Sequence, residues 1–138
     1  YGYCADISRT FVEGNKFNDE QKKLYSMAVD QINHNYRIIK PGVSFKEFTE
    51  RSWTLPDEYY GNRYSVMLHG IGMCDEWPAI RYPTDGGQRN GQFEKNMTIT
   101  LESYIGKVGG KEGVKLEQQY LVGENGLELM SHHPLEDI

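Results

Sequence analysis

The sequence predicts an α+β domain in which two helices come before an antiparallel set of strands. Three observations support this fold class. Apolar residues recur at helical spacing early in the chain, apolar and polar residues alternate late in the chain, and glycine-rich turns separate the alternating segments. No repeat or low-complexity tract interrupts this order, and 138 residues suit one domain with a moderate core.

The N-terminal part is predicted to form a strand and then a long helix. Residues 3–11 place isolated apolar side chains among polar and β-branched ones, which is typical of a strand with one face in water. Asn18 and Gln21 have the spacing of a capping pair that opens a helix, and helical periodicity then continues towards Pro41.

A second, shorter helix is predicted to follow. Ser44 and Glu47 form the S-x-x-E pattern of a capping box, and the helix should end before Pro56. Residues 57–63 are polar and aromatic and include a glycine, so a loop is predicted there.

The second half of the chain is predicted to consist of strands joined by loops. The predicted strands cover residues 64–69, 97–102, 113–122 and 127–130. Turn-forming residues cluster at 82–91, 106–113 and 124–126. Short turns between consecutive strands favour antiparallel pairing.

The composition excludes several classes of protein. A content of 38% hydrophobic and 12% aromatic residues excludes a disordered chain, and no apolar run approaches the ~20 residues that a membrane span needs. A net charge of -5 argues against nucleic acid as the main partner, because phosphate binding requires clustered Lys and Arg. Two cysteines, Cys4 and Cys74, are too few for a disulfide scaffold, so we expect a reducing, cytoplasmic compartment.

Four polar residues lie within or at the end of predicted strands: Asp6, His69, Glu102 and Glu117. Any one of them alone is more often a solvent-facing residue on an open sheet. Four on neighbouring strands could converge, because side chains on one face of adjacent strands lie only about 5 Å apart. Three carboxylates and one imidazole would make a site suited to Mn, Fe, Co or Zn rather than Ca.

Four segments resemble, in order, the metal-ligand motifs of the pita-bread metallohydrolases, which include methionine aminopeptidase, Xaa-Pro dipeptidase and creatinase. The segments are Tyr3-Cys4-Ala5-Asp6-Ile7-Ser8-Arg9-Thr10-Phe11, His69-Gly70-Ile71-Gly72, Thr100-Leu101-Glu102 and Val114-Lys115-Leu116-Glu117. Together they extend over nearly the whole chain. The resemblance implies the C-terminal part of a pita-bread fold, with a curved antiparallel sheet and helices on its outer face.

The resemblance also implies a ligand set. Asp6 and Glu117 would each bridge two divalent transition-metal ions, while His69 and Glu102 would bind one of them; iron is suspected, and Mn, Co or Zn would also suit. A further aspartate is expected upstream of Asp6, and residues 1–5 contain no acid. We therefore expect residues 1–138 to be a fragment of one catalytic domain that lacks its N-terminal part and an upstream domain, and we expect a homodimer at full length.

The sequence departs from the peptidase members at two places. The His-Glu-x-Pro element that follows the histidine motif is replaced by Cys74-Asp75-Glu76-Trp77-Pro78, and the Glu-Pro-Gly of the third motif by Glu102-Ser103-Tyr104. These changes resemble the branch of the family that cleaves dimethylsulfoniopropionate (DMSP), a small molecule, to dimethyl sulfide and acrylate by β-elimination.

By that resemblance Asp75 would be the catalytic base and Tyr64 would bind the substrate. Trp77 is a further candidate for substrate binding because it is aromatic. Asp75 could instead be a solvated loop acid or a partner that orients His69. Ideal alternation from His69 would place Tyr64 on the opposite face of the strand unless a bulge intervenes. Trp77 could lie over a sulfonium cation, but a packed or rim tryptophan is as common.

Two other functions stay open. One is a metallopeptidase or amidohydrolase of the Xaa-Pro dipeptidase type, in which a metal-bound hydroxide attacks an amide. The other is a non-catalytic member that uses the fold to bind a partner. The presence of all four ligand residues argues against the second alternative.

Overall fold

The structure is a computed structural model that describes residues 1–73, 76–86 and 90–136. Its helices are α1 (Asp19–Tyr36), α2 (Phe45–Arg51) and α3 (Asp57–Tyr60), preceded by a 3₁₀ turn at Glu13–Asn15. Its strands are β1 (Leu68–Gly70), β2 (Ala79–Ile80), β3 (Thr98–Gly106), β4 (Gly113–Val122) and β5 (Leu127–Leu129). They form one antiparallel sheet of order β2-β1-β3-β4-β5, which confirms the α+β prediction.

Helix α1 begins where the capping pair predicted it. The Asn18 side chain accepts a hydrogen bond from the Gln21 backbone N–H, and the Gln21 side chain accepts one from the Asn18 N–H. The helix packs one side against β3 and β4. It ends at Tyr36, earlier than predicted, because the chain then passes through turns before Pro41.

Helix α2 also starts at its predicted cap, since Ser44 Oγ accepts a hydrogen bond from the Glu47 N–H at 3.0 Å. The predicted loop at 57–63 is wrong at its start, where α3 forms one helical turn. Pro56 precedes that turn with a φ of -59°, and two acidic residues follow in the first turn, both of which favour a helix start.

The long β3–β4 hairpin is the centre of the sheet. The predicted strand 97–102 continues to Gly106, and Glu102 pairs directly with Glu117 across the hairpin. One face of the hairpin meets α1, where Ser103 Oγ donates a hydrogen bond to the Gln31 side chain. Because side chains alternate, Glu102 points to the opposite face. The predicted strand 64–69 is shorter than expected, and β2 was not predicted.

The predicted strand at residues 3–11 is wrong: this segment meets β4 at one isolated bridge, between Ser8 and Glu117. Side chains replace the other ladder bonds. Thr10 Oγ1 donates to the Lys115 carbonyl and accepts from the Lys115 N–H. Arg9 donates to the Glu117 carbonyl as well. Residues of β5 pair with the other half of the same edge of β4.

None of the helices that the structure describes combines the length and the apolar character needed to cross a membrane.

Candidate metal centre

Alternate residues of three neighbouring strands project from the face of the sheet that α1 leaves uncovered. Glu102 on β3 and Glu117 on β4 stand opposite each other. On β1, His69 pairs with Thr100, two residues before Glu102. Because residues two apart on a strand share a face, the imidazole and both carboxylates lie on the same side of the sheet.

The imidazole of His69 faces three carboxylates. Its Nε2 atom is 3.2 Å from Glu102 Oε1, 3.6 Å from Glu117 Oε1 and 3.9 Å from Asp6 Oδ2. The His69, Glu102 and Glu117 side chains are 3%, 1% and 2% exposed, whereas Asp6 is 43% exposed. The structure thus brings the four predicted ligand residues together, three in the interior and one at the rim.

The orientation of the His69 ring matters for what it can bind. Its Nδ1 atom lies 3.0 Å from the Gly70 carbonyl, and a carbonyl can only accept, so Nδ1 must be the donor. In the neutral ring Nε2 then carries a lone pair directed at carboxylate oxygens. That contact is repulsive unless the ring gains a second proton or a cation lies between the groups.

Gly70 is required by the turn beside this histidine. A Cβ atom at Gly70 would overlap the Trp77 carbonyl oxygen, because the β1–β2 connection passes directly over the backbone here. A side chain would therefore push β2 away from β1. The glycine that follows His69 in the sequence thus lets β2 close over the end of β1.

Sequence analysis missed Lys115, which is a fifth member of the cluster. Its ammonium forms an ion pair with Glu102 Oε2, lies 3.8 Å from Glu117 Oε2, and sits 3.8 Å from the centre of the Tyr64 ring. A signal was present, because Lys115 lies two residues before Glu117 on a predicted strand and must share its face. Lysine is usually solvated, which is why the position drew no attention.

Hydrogen bonds hold the Asp6 segment against the cluster. Ser8 Oγ donates to Glu117 Oε2 at 2.9 Å, and the Asp6 N–H donates to the Gln119 side chain at 3.3 Å. Arg9 donates to the Glu117 carbonyl and to carbonyls near the C-terminus. These bonds place the Asp6 carboxylate at the open rim of the cluster.

The charges of the cluster shift each other's titration. Burial and the charge of Glu117 raise the pKa of Asp6. Burial acts on Glu117 in the same direction, but contact with His69 and the charge of Lys115 outweigh it and lower the pKa of Glu117. Burial lowers the pKa of Lys115 against the attraction of Glu117 and Asp6. Three carboxylates thus face one ammonium, and the surplus negative charge favours a further cation.

The residues fit a metal ion. Asp6, His69 and Glu117 offer ligand atoms that all lie within 4.8 Å of one another. Glu117 Oε1 is buried, yet it accepts no hydrogen bond from the part of the chain that the structure describes. Buried acceptors without a partner are rare and costly, and a metal ion would satisfy this one. Mixed oxygen and nitrogen donors suit first-row transition metals.

Comparison with models of known families assigns the chain to a family. The profile of metallopeptidase family M24 matches residues 1–124. The chain belongs to this family. The four motifs in the sequence had indicated the same family, so the predicted family is confirmed.

Relatives of this M24 chain include enzymes of two kinds. It is 36% identical, over an alignment 140 positions long, to the dimethylsulfoniopropionate lyase DddP of Roseovarius nubinhibens, covering 99% of this chain and 31% of that protein. It is 33% identical over 129 residues to the Xaa-Pro dipeptidase of Pyrococcus horikoshii, covering 90% of this chain and 34% of the relative. The chain therefore spans about a third of the length of these curated relatives.

Solved structures give the same fold. The Xaa-Pro dipeptidase from Bacillus anthracis superposes with a TM-score of 0.78 at 28% identity, over 98% of this chain and 37% of that structure. The expected pita-bread α+β fold is thereby confirmed for this M24 chain.

Tyr64 lies on the same side of the sheet as the acid cluster formed by Asp6, His69, Glu102 and Glu117. Ideal alternation from His69 would have placed it on the opposite side. Residues 64–67 precede β1 and are not in a strand, so the period of two does not apply to them. The Tyr64 ring carries the Lys115 ammonium on its face, which places it next to the predicted ligands.

Trp77 and Asp75 are the two remaining predicted site residues. Trp77 is 65% exposed and lines a cavity of about 490 Å³ with Phe45, Met73 and Pro78. The residues described as lining that cavity include none of the four predicted ligands. Asp75, the predicted base, lies outside the residues that the structure describes, so its role stays a prediction.

Proposed function

We propose that the protein carrying this chain cleaves DMSP to dimethyl sulfide and acrylate at a site with two divalent transition-metal ions. The proposal depends chiefly on one observation, the buried pair Glu102 and Glu117 facing the Nε2 atom of His69. The 36% identity to a DMSP lyase over nearly the whole chain supports the substrate.

The predicted ligands act together in this proposal. Asp6, His69, Glu102 and Glu117 would hold the two ions. The Gly70 carbonyl fixes the His69 ring so that its Nε2 lone pair points into the cluster. Bound ions would supply Lewis-acid stabilisation of charge on the substrate carboxylate, worth on the order of several kcal/mol. Iron is the favoured metal, and the same donors accept Mn, Co and Zn.

Asp75 would act as the base in the elimination. Its carboxylate takes a proton from the carbon next to the substrate carboxylate. The C–H electron pair becomes the new C=C bond, and the C–S electron pair leaves with sulfur as neutral dimethyl sulfide. The products are acrylate, dimethyl sulfide and a protonated Asp75, so charge and atoms balance.

Two aromatic residues would position the substrate. The Tyr64 ring lies next to the acid cluster through its contact with Lys115. The exposed face of Trp77 could attract the sulfonium group, because aromatic faces bind such cations.

The alternative is an Xaa-Pro metallopeptidase or amidohydrolase. The 33% identity to an Xaa-Pro dipeptidase and the superposition on another favour it. The absence of a histidine between Cys74 and Pro78 argues for the lyase instead, since the peptidase members carry one at this place.

One experiment separates the two. The intact protein is incubated with DMSP and, separately, with Xaa-Pro dipeptides; dimethyl sulfide is measured by gas chromatography and free proline by amino-acid analysis. We expect dimethyl sulfide, lost in Asp75→Asn with metal content unchanged and kept in the neighbouring control Glu76→Gln. Release of proline without dimethyl sulfide would replace the lyase by the peptidase. Absence of bound metal from the intact protein would favour the non-catalytic alternative.

Three further expectations are part of the proposal. We propose that residues 1–138 form part of one catalytic domain, that the intact protein is a homodimer and that it is cytoplasmic. Size-exclusion chromatography with light scattering tests the dimer.

A further inference from the structure

We propose that Lys115 is a resident counter-cation of the acid cluster, which holds Glu102 and Glu117 together when no metal is bound and competes with metal for these two carboxylates. This inference rests on the metal site proposed above. It makes Lys115 a positioning residue that sets metal affinity.

The carboxylates of Glu102 and Glu117 repel each other. Glu102 and Glu117 pair directly across β3 and β4, and both side chains are almost fully buried. Like charges directly opposite on adjacent strands destabilise a sheet, and burial strengthens their interaction. Two buried carboxylates at this spacing therefore need positive charge nearby.

Lys115 supplies that positive charge. Lys115 alone, among the lysines and arginines that the structure describes, has its charged group within ion-pair distance of these two carboxylates. Its nitrogen contacts one oxygen of each, so a single ammonium bridges the pair. Only 24% of the Lys115 side chain is exposed, so water screens these contacts little.

The Lys115 ammonium also contacts the ring of Tyr64. The centre of the Tyr64 ring lies 3.8 Å from the Lys115 nitrogen. A cation over an aromatic face at this distance is attracted to it. The Tyr64 ring therefore helps to hold the ammonium beside the acid pair.

A metal ion would bind the same two carboxylates that Lys115 already contacts, although Lys115 faces their Oε2 atoms and His69 their Oε1 atoms. The ion gains attraction from the carboxylates but meets the repulsion of a fixed ammonium beside them. Removing the lysine charge should thus act in opposite directions on the two states. The metal-free protein becomes less stable, and metal binds more tightly.

The test compares Lys115→Met with Lys115→Arg in the intact protein, with Lys111→Met as a control at an exposed lysine of the hairpin loop. Thermal unfolding is followed in chelator, and Mn²⁺ affinity is measured by calorimetry. For Lys115→Met we expect a midpoint lower by about 3 °C or more and a Kd for Mn²⁺ at least about tenfold lower. Lys115→Arg and Lys111→Met should keep both values near wild type.

A double variant guards against a protein that merely fails to fold. Glu102→Gln removes one charge of the pair, so it should restore the chelator midpoint of Lys115→Met. A double variant as unstable as Lys115→Met alone would overturn the inference. Either of two results for Lys115→Met would also overturn it: an unchanged unfolding midpoint in chelator, or a Mn²⁺ affinity that is unchanged or weaker. If wild type binds no Mn²⁺ or any other divalent ion, the metal site fails, and the unfolding data in chelator still decide the role of Lys115.

Discussion

Replacing Asp6 by asparagine should separate metal binding from folding. Asp6 is the most exposed of the four predicted ligands, and both burial and the charge of Glu117 raise the pKa of its carboxyl. A raised pKa means that the folded protein favours the neutral acid, so the ionised form costs stability at neutral pH. Asparagine has the same shape without the charge.

The magnitude follows from the geometry. Water screens part of the repulsion because 43% of the Asp6 side chain is exposed, so we expect the metal-free protein to gain only about 0.5 kcal/mol. The variant also lacks one anionic ligand of the set Asp6, His69 and Glu117, whose ligand atoms lie within 4.8 Å of one another. We expect the Kd for Mn²⁺ to rise at least about 100-fold, or about 2.7 kcal/mol.

The assay is urea unfolding in chelator together with calorimetric titration of Mn²⁺, both on the intact protein. The two results should have opposite signs: slightly higher stability and much weaker binding. Asp57→Asn, an acid at the start of α3 and apart from the cluster, serves as the control. A fall in both stability and affinity would show that Asp6 is held mainly by structural contacts, and our account of the charge balance would be refuted.

Three other outcomes follow from single contacts. Ser8→Ala removes the hydroxyl that donates to Glu117, so metal affinity measured by calorimetry should fall about 10-fold or more. An unchanged affinity would mean that the Glu117 carboxylate finds another donor. The hydrogen bond from Arg63 lowers the pKa of Asp85, so this pair stabilises the fold above the carboxyl's unfolded pKa of about 4, and its contribution is lost as pH falls through the lower folded value. In urea unfolding, Asp85→Asn should cost up to about 1 kcal/mol at pH 7 and progressively less as the pH falls below about 4. Leu101→Ala in the core should cost about 2–5 kcal/mol, and a smaller loss would mean that the α1 face repacks.

Local patterns in the sequence predicted much of the fold. The Asn18 and Gln21 pair placed the start of α1 correctly because a capping box is a contact within four residues. Alternating and β-branched residues predicted the strands that form β3 and β4, and the structure pairs Glu102 with Glu117 across them. Such signals need no knowledge of distant partners.

Features that depend on distant partners were not predictable in the same way. The segment at 3–11 has the composition of a strand, but Thr10 and Arg9 satisfy the edge of β4 with side chains instead. Lys115 was overlooked because only the folded sheet shows that Tyr64 and two buried glutamates surround it. Composition cannot show that a lysine is half-buried.

The single bridge between the N-terminal segment and β4 has a mechanical consequence. Ser8 and Glu117 are 109 positions apart, and few backbone bonds join their segments. An ion shared by Asp6 and Glu117 would tie the two segments together as a disulfide does, by closing a very long loop and lowering the entropy of the unfolded chain. Amide hydrogen exchange along residues 4–10 should therefore slow far more on metal binding than exchange within the β3–β4 hairpin.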